Sequence, residues 1–269
     1  MIISTTVQVV ISGLAIVSYA LSLSLYAKQI LKSTSNDGKT AVLFASLGIL
    51  FHGIVAYSQL NTILGIDLGI QSSAVLVTWV ISIFLLIALI RLPIASLFVV
   101  ILPLSIIVLS INLISESSYV PRNYLAGDLI IHIIFSLIAY STLLMASSQA
   151  LILALQEKNL RRYKKVSIVK VLPPLETMEA LLFWMLWMGI LFLSLAIASG
   201  FAFMEDMFAQ HVVHHTVLST SAWLTYATLL IGNHFFGWRG IRAIKWALLS
   251  FGLLVLGYFG SKFVLEVVL

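Results

Sequence analysis

The chain alternates long apolar runs with short polar breaks. Eight runs stand out, roughly at residues 7–27, 40–58, 70–90, 94–113, 124–156, 180–204, 214–233 and 241–264. Most are about 20 residues long, the length a helix needs to cross a hydrocarbon core of about 30 Å. Segments of about 10 residues that alternate apolar and polar, the mark of a membrane barrel, are absent from the sequence. The pattern therefore predicts an all-α, polytopic transmembrane helical bundle of about eight spans, with residues 1–269 forming a single integral-membrane domain. No internal repeat and no separate soluble domain is expected. The third and fourth runs are parted only by "RLP" (Arg91 to Pro93), which reads as a tight hairpin. The fifth run is too long for a perpendicular span, so it is expected to tilt or protrude.

Composition sharpens this picture. Hydrophobic residues make up 61% of the chain and charged residues 9%, against about 25% charged in soluble domains. So few charges cannot cover a water-facing surface. The absence of cysteine excludes disulfides, thiolate metal sites and cysteine nucleophiles. The opening "MIISTTVQVV" has no lysine or arginine, so no cleavable signal peptide is expected.

The net charge of +5 speaks of topology and not of nucleic acid, because the cations fall in alternate loops. One side receives Lys28, Lys32, Lys39, Arg91, Lys158, Arg161, Arg162, Lys164, Lys165, Lys170, Arg239, Arg242 and Lys245. The other receives only Arg122 and Lys262, together with Asp67, Glu116, Asp128, Glu205 and Asp206. Positive loops stay in the cytoplasm, so both termini are expected outside. The basic run "KNLRRYKKVSIVKVLPPLETME" fixes topology or binds anionic lipid or a soluble partner. Its last part reads as a helix start, with prolines ahead of acids in the first turn.

Histidine is the remaining candidate for chemistry, and each of the six has two readings. His132 shares a helical face with Ser136, Tyr140, Leu143 and Ser147. Lipid offers such a polar stripe no partner, so it should face the bundle interior. There the imidazole either ligates haem iron or bonds one helix to another. His52, beside Gly48 and Gly53, sits where a flat macrocycle or a second helix can approach closely. His234, in "GNHFFGWRG", is a ligand or a member of an interfacial aromatic belt with Phe235, Phe236 and Trp238. In "QHVVHH", His211 lies at helical spacing from His214 and His215. These residues offer imidazoles to a metal or form a wet helix start. Glycines 252, 257 and 260 on the last span suggest close helix contacts. No nucleophile, base and oxyanion set is visible, so the chain is not expected to be an enzyme.

Four stretches carry a resemblance: "HIIFSLIAYSTLLMA" (132–146), "LPPLETMEALLF" (172–183), "VLSTSAWLTYATLLIGNHFFGWRGIRAIKW" (217–246) and "YFGSKFVLEVVL" (258–269). Together they resemble the cytochrome c assembly protein family, the CcsA/ResC/CcmC group, and within it the short YpjD/HemX-like bacterial inner-membrane branch. The resemblance covers essentially the whole chain. It implies a haem-binding or haem-handling protein of the bacterial inner membrane that supports cytochrome c maturation or haem homeostasis. The implied cofactor is haem b, and the implied partners are membrane lipid, haem and other maturation components.

Carried over by position, His132 resembles the first outer haem ligand, and His52 and His234 the pair within the membrane. The chain departs from the family pattern in two places. The tryptophan-rich segment before span seven is replaced by "EDMFAQHVVHHTVLS", and no second outer histidine follows "YFGSK". His211, His214 or His215 then stands in as the ligand opposite His132. Two other functions stay open. One is a regulator or scaffold of tetrapyrrole metabolism acting through the basic loop. The other is a small-solute transporter.

Overall fold

A computed structural model describes residues 5–32, 37–62, 65–115, 127–161, 172–203 and 213–264. Eight long helices account for almost all of them. Helix α1 spans Thr5–Lys32, α2 Asp37–Leu60, α3 Ile70–Ala88 and α4 Phe98–Ile114. Helix α5 spans Gly127–Arg161, α6 Leu175–Phe203, α7 Val213–Phe236 and α8 Ile241–Val255. A π-helical stretch, Leu256–Gly260, and a helical turn, Ser261–Phe263, extend α8.

Seven of these helical segments are long and apolar enough to cross a membrane. Helix α7 has 24 residues, enough for a span, but Thr216, Ser219, Thr220, Ser221, Thr225 and Thr228 lower its hydropathy. Helix α5 has 35 residues, about 52 Å at 1.5 Å per residue, which exceeds the hydrocarbon thickness as expected.

The helices pack as two units. In the first, α1 packs on α2 and α4, and α3 packs on α2 and α4, so four consecutive helices close a ring. In the second, α5 packs on α6 and α8, and α7 packs on α6 and α8, closing another. Short connections favour this arrangement, because helices joined by a few residues pack as neighbours. Between α3 and α4 the chain turns through Leu92, whose N–H bonds the Ala88 carbonyl at 2.8 Å. A two-residue antiparallel hairpin, β1 (Asn61–Thr62) with β2 (Gly65–Ile66), leads from α2 toward α3. There the buried Asp67 accepts the Gly69 N–H at 2.7 Å, just ahead of α3.

Side-chain sorting is that of a protein solvated by lipid. Large apolar residues such as Val10, Val17, Leu50, Ile107, Leu155 and Leu191 point outward. Ser12, Ser22, Thr78, Ser82, Ser105, Ser141 and Ser250 are buried. The inversion follows from hydrogen bonding, since a hydroxyl facing hydrocarbon has no partner. Many of these hydroxyls bond the carbonyl one turn back, as Ser82 does to Thr78 at 2.7 Å.

Candidate functional site

In the first unit His52 is completely buried. Its Nδ1 lies 3.1 Å from the Tyr19 hydroxyl, and the two rings meet edge-on at 5.9 Å. The glycines beside it are occupied by aromatic rings. A Cβ on Gly48 would lie 2.6 Å from the Tyr19 ring, and one on Gly53 would lie 2.7 Å from the Trp79 indole. That indole donates to the Ile49 carbonyl at 3.0 Å. The small residues therefore admit side chains from α1 and α3. Nε2 of His52 makes no hydrogen bond of normal geometry.

The second unit holds the other described histidines. The stripe anticipated on α5 faces inward: Tyr140, Leu143 and Ser147 are buried, and His132 and Ser136 are half-buried. Nδ1 of His132 lies 2.9 Å from the Ala196 carbonyl and 3.3 Å from the Ser199 hydroxyl, both on α6. A carbonyl only accepts, so Nδ1 carries the proton. Nε2 is then left with its lone pair, and Ser136 approaches it at a long 3.4 Å.

His215 repeats this arrangement on α7. Its Nδ1 donates to the Gly257 carbonyl at 3.1 Å, which again leaves Nε2 with a lone pair. His132 is close enough to act electrostatically on His215, and so is Lys262. Histidines that bind metal commonly donate their second N–H to a carbonyl, which fixes the tautomer and the ring orientation. Both imidazoles meet that condition within one unit.

The π-helical stretch supplies the Gly257 carbonyl and the Tyr258 ring beside His215. A π-turn displaces carbonyls from the regular ladder and is frequent at functional sites. Gly257 approaches α7 so closely that a Cβ would stand 3.1 Å from Leu218 and 3.3 Å from the Ser219 hydroxyl. Of the three glycines expected at close helix contacts, only this one meets another helix among the described residues. Gly252 faces open space, and Gly260 neighbours only Leu256 of its own turn. Tyr258 lies 5.7 Å from the His215 ring and 5.5 Å from Tyr140.

Tyr140 donates its hydroxyl to the Leu254 carbonyl, just before the π-turn. Tyr140→Phe is expected to leave that buried carbonyl short of a partner, at a cost of about 1–3 kcal/mol. Unfolding in detergent would register it, and a variant as stable as the parent would show that this bond does not hold α8 in place.

The other described histidines of this unit, His214 and His234, are not part of this arrangement. His214 is exposed beside His215. His211 lies outside the described residues, as do Arg122, Arg162, Lys164, Lys165 and Lys170 of the loops. His234, in the last turn of α7, is exposed and edge-on to Phe235 at 4.7 Å. Phe235 and Phe236 are more than 70% exposed, at 72% and 75%, as suits residues facing lipid or the interface. His52 belongs to the first unit and His234 to the second.

The "GNHFFGWRG" turn has a local explanation. Gly237, at φ 64°, ends α7 in the left-handed conformation that glycine adopts most readily. Trp238 N–H returns to the Gly232 carbonyl at 3.1 Å, and its ring fills the space a Gly232 side chain would need. Arg242 lies over that ring at 5.3 Å, and Glu179 of α6 accepts the Gly240 N–H.

Sequence reasoning missed the carbonyl partners Ala196 and Gly257, and with them Tyr258 as a neighbour of His215. "YFGSK" gave the only signal for the latter. Among the described residues no group of three histidine or carboxylate side chains converges as a metal cage.

The family model described as Cytochrome C assembly protein matches residues 40–269. "Inner membrane protein YpjD" of Escherichia coli strain K12 is 27% identical over 257 residues, covering 95% of this chain and 97% of that protein. An "Uncharacterized 28.8 kDa protein in nifR3-like 5'region" of Azospirillum brasilense is 31% identical over 141 residues, 52% of each chain. No solved structure matches the chain. The apolar helices and the inner-membrane relative identify a multi-pass inner-membrane protein.

Proposed function

The chain belongs to the cytochrome c assembly protein family, and from that premise we propose that it binds haem b between His132 and His215 and handles it during cytochrome maturation or haem homeostasis. One observation carries this reading. Both imidazoles give their Nδ1 protons to backbone carbonyls of the same unit, so both Nε2 atoms carry lone pairs, that of His132 approached by the Ser136 hydroxyl at a long 3.4 Å. A structural zinc site asks for four protein ligands, whereas haem iron, already bound by four porphyrin nitrogens, asks for one or two. A pair of neutral nitrogen donors in an apolar bundle suits the second.

The carbonyls of Ala196 and Gly257 orient the imidazoles, and Tyr140, Tyr258 and Phe259 supply apolar surface near them. When bound, haem would supply the iron centre and the group to be delivered. The protein's part is to enclose and orient. It acts as a binding protein and not as an enzyme. With cytoplasmic loops positive, the His132–His215 end faces outward, where cytochrome c is assembled.

The test is the absorption spectrum of the purified full chain after haem is added back, oxidised and dithionite-reduced, with haem quantified. Near-stoichiometric haem with a low-spin Soret band and sharp reduced α and β bands is expected. A chain that retains no haem in detergent or in lipid nanodiscs would refute the reading.

A further inference from the structure

Lysine and arginine are scarce on the side expected to lie outside; Arg122 and Lys262 stand among six acidic residues, Asp67, Glu116, Asp128, Glu205, Asp206 and Glu266. Lys262 therefore runs against the rule that sets topology. Its ammonium lies over the Tyr258 ring at 5.0 Å. Tyr258 in turn lies against His215 at 5.7 Å and against Phe259 at 5.1 Å. The cation is thus held on the His215 side of the site, beside the Tyr258 and Phe259 rings.

We propose that Lys262 is the counter-ion for a carboxylate of the ligand bound by His132 and His215, so that the site selects a tetrapyrrole with free carboxylate side chains. This rests on the haem reading above. The chemistry is complementary. Haem b is a flat apolar macrocycle with two carboxylates at one edge, and a carboxylate near a membrane boundary is costly without a cation. The two neutral imidazoles bind iron but offer the carboxylates no charge. A lysine on a flexible stem supplies that charge as a point cation, and its contact with Tyr258 keeps the charge near the iron ligands.

The experiment titrates the full-length protein in nanodiscs with haem and with haem dimethyl ester, whose carboxylates are masked. Lys262→Gln and Lys262→Arg are titrated beside the parent. Loss of a charge-assisted contact is expected to weaken haem binding about tenfold in Lys262→Gln. Binding of the ester should be unchanged by the same substitution, and Lys262→Arg should restore most of the haem affinity. Comparing each ligand across variants cancels its own partition into lipid.

An equal loss for haem and ester would overturn the proposal and make Lys262 a packing residue. Unchanged haem binding in Lys262→Gln would overturn it as well. Failure of the parent to bind either ligand would instead refute the haem reading, and this inference with it.

Discussion

Replacing His132 or His215 with alanine is expected to abolish the low-spin spectrum of the haem-loaded protein. A six-coordinate low-spin iron needs both axial nitrogens, so either deletion suffices, and the double variant should lose little more spectral character than each single one. Disturbing groups that merely support a ligand costs about 10–100-fold in metal affinity. Removal of a ligand itself should reach at least the upper end, about a hundredfold. His214→Ala is the internal control, because His214 is exposed beside the pair. Haem titration with reduced-minus-oxidised spectra reads all four proteins. If His214→Ala behaves like His215→Ala, or if His215→Ala keeps its low-spin bands, the assigned pair is wrong.

The second large effect lies in the other unit. Gly48→Val is expected to destabilise the protein by about 1–3 kcal/mol, the usual cost of overpacking. A Cβ there would stand 2.6 Å from the fully buried Tyr19 ring. The ring cannot yield without giving up its contact with His52. Loss of that hydrogen bond adds about 1 kcal/mol. Denaturant unfolding in mild detergent would report the change. Shrinking the obstructing ring should help, so Gly48→Val with Tyr19→Leu should be less harmful than the sum of the singles. Strict additivity would mean that the ring and the glycine are not coupled.

These two experiments separate two kinds of histidine. His52 is enclosed by the helices that Gly48 and Gly53 admit, and its Nδ1 is engaged by a side chain of its own unit. His132 and His215 are only half-buried and turn Nδ1 toward backbone carbonyls. In sequence all three are histidines amid leucine, isoleucine and small residues. Burial and the identity of the Nδ1 partner distinguish them, and that partner is far away in the chain: 33 residues for His52, 64 for His132 and 42 for His215.

The sequence by itself determined the helices and their number. Hydropathy and helical period are local properties, and lipid enforces them by leaving any exposed polar backbone unsatisfied. It also determined that the stripe through His132, Ser136, Tyr140 and Ser147 turns inward, since a period of 3.6 residues places these side chains on one face. The prolines and Glu176 at the start of α6 were legible for the same reason. The tertiary structure alone separated His215 from His214. His214 and His215 are adjacent in sequence, yet 100° of helical rotation sends one outward and the other toward the Gly257 carbonyl. It also decided that, among the described residues, Gly257 is the one of the three glycines of the last span to meet another helix, and that a π-turn presents its carbonyl. Such features depend on where α8 lies against α7, a relation set by packing across the bundle and not by the residues of either helix alone.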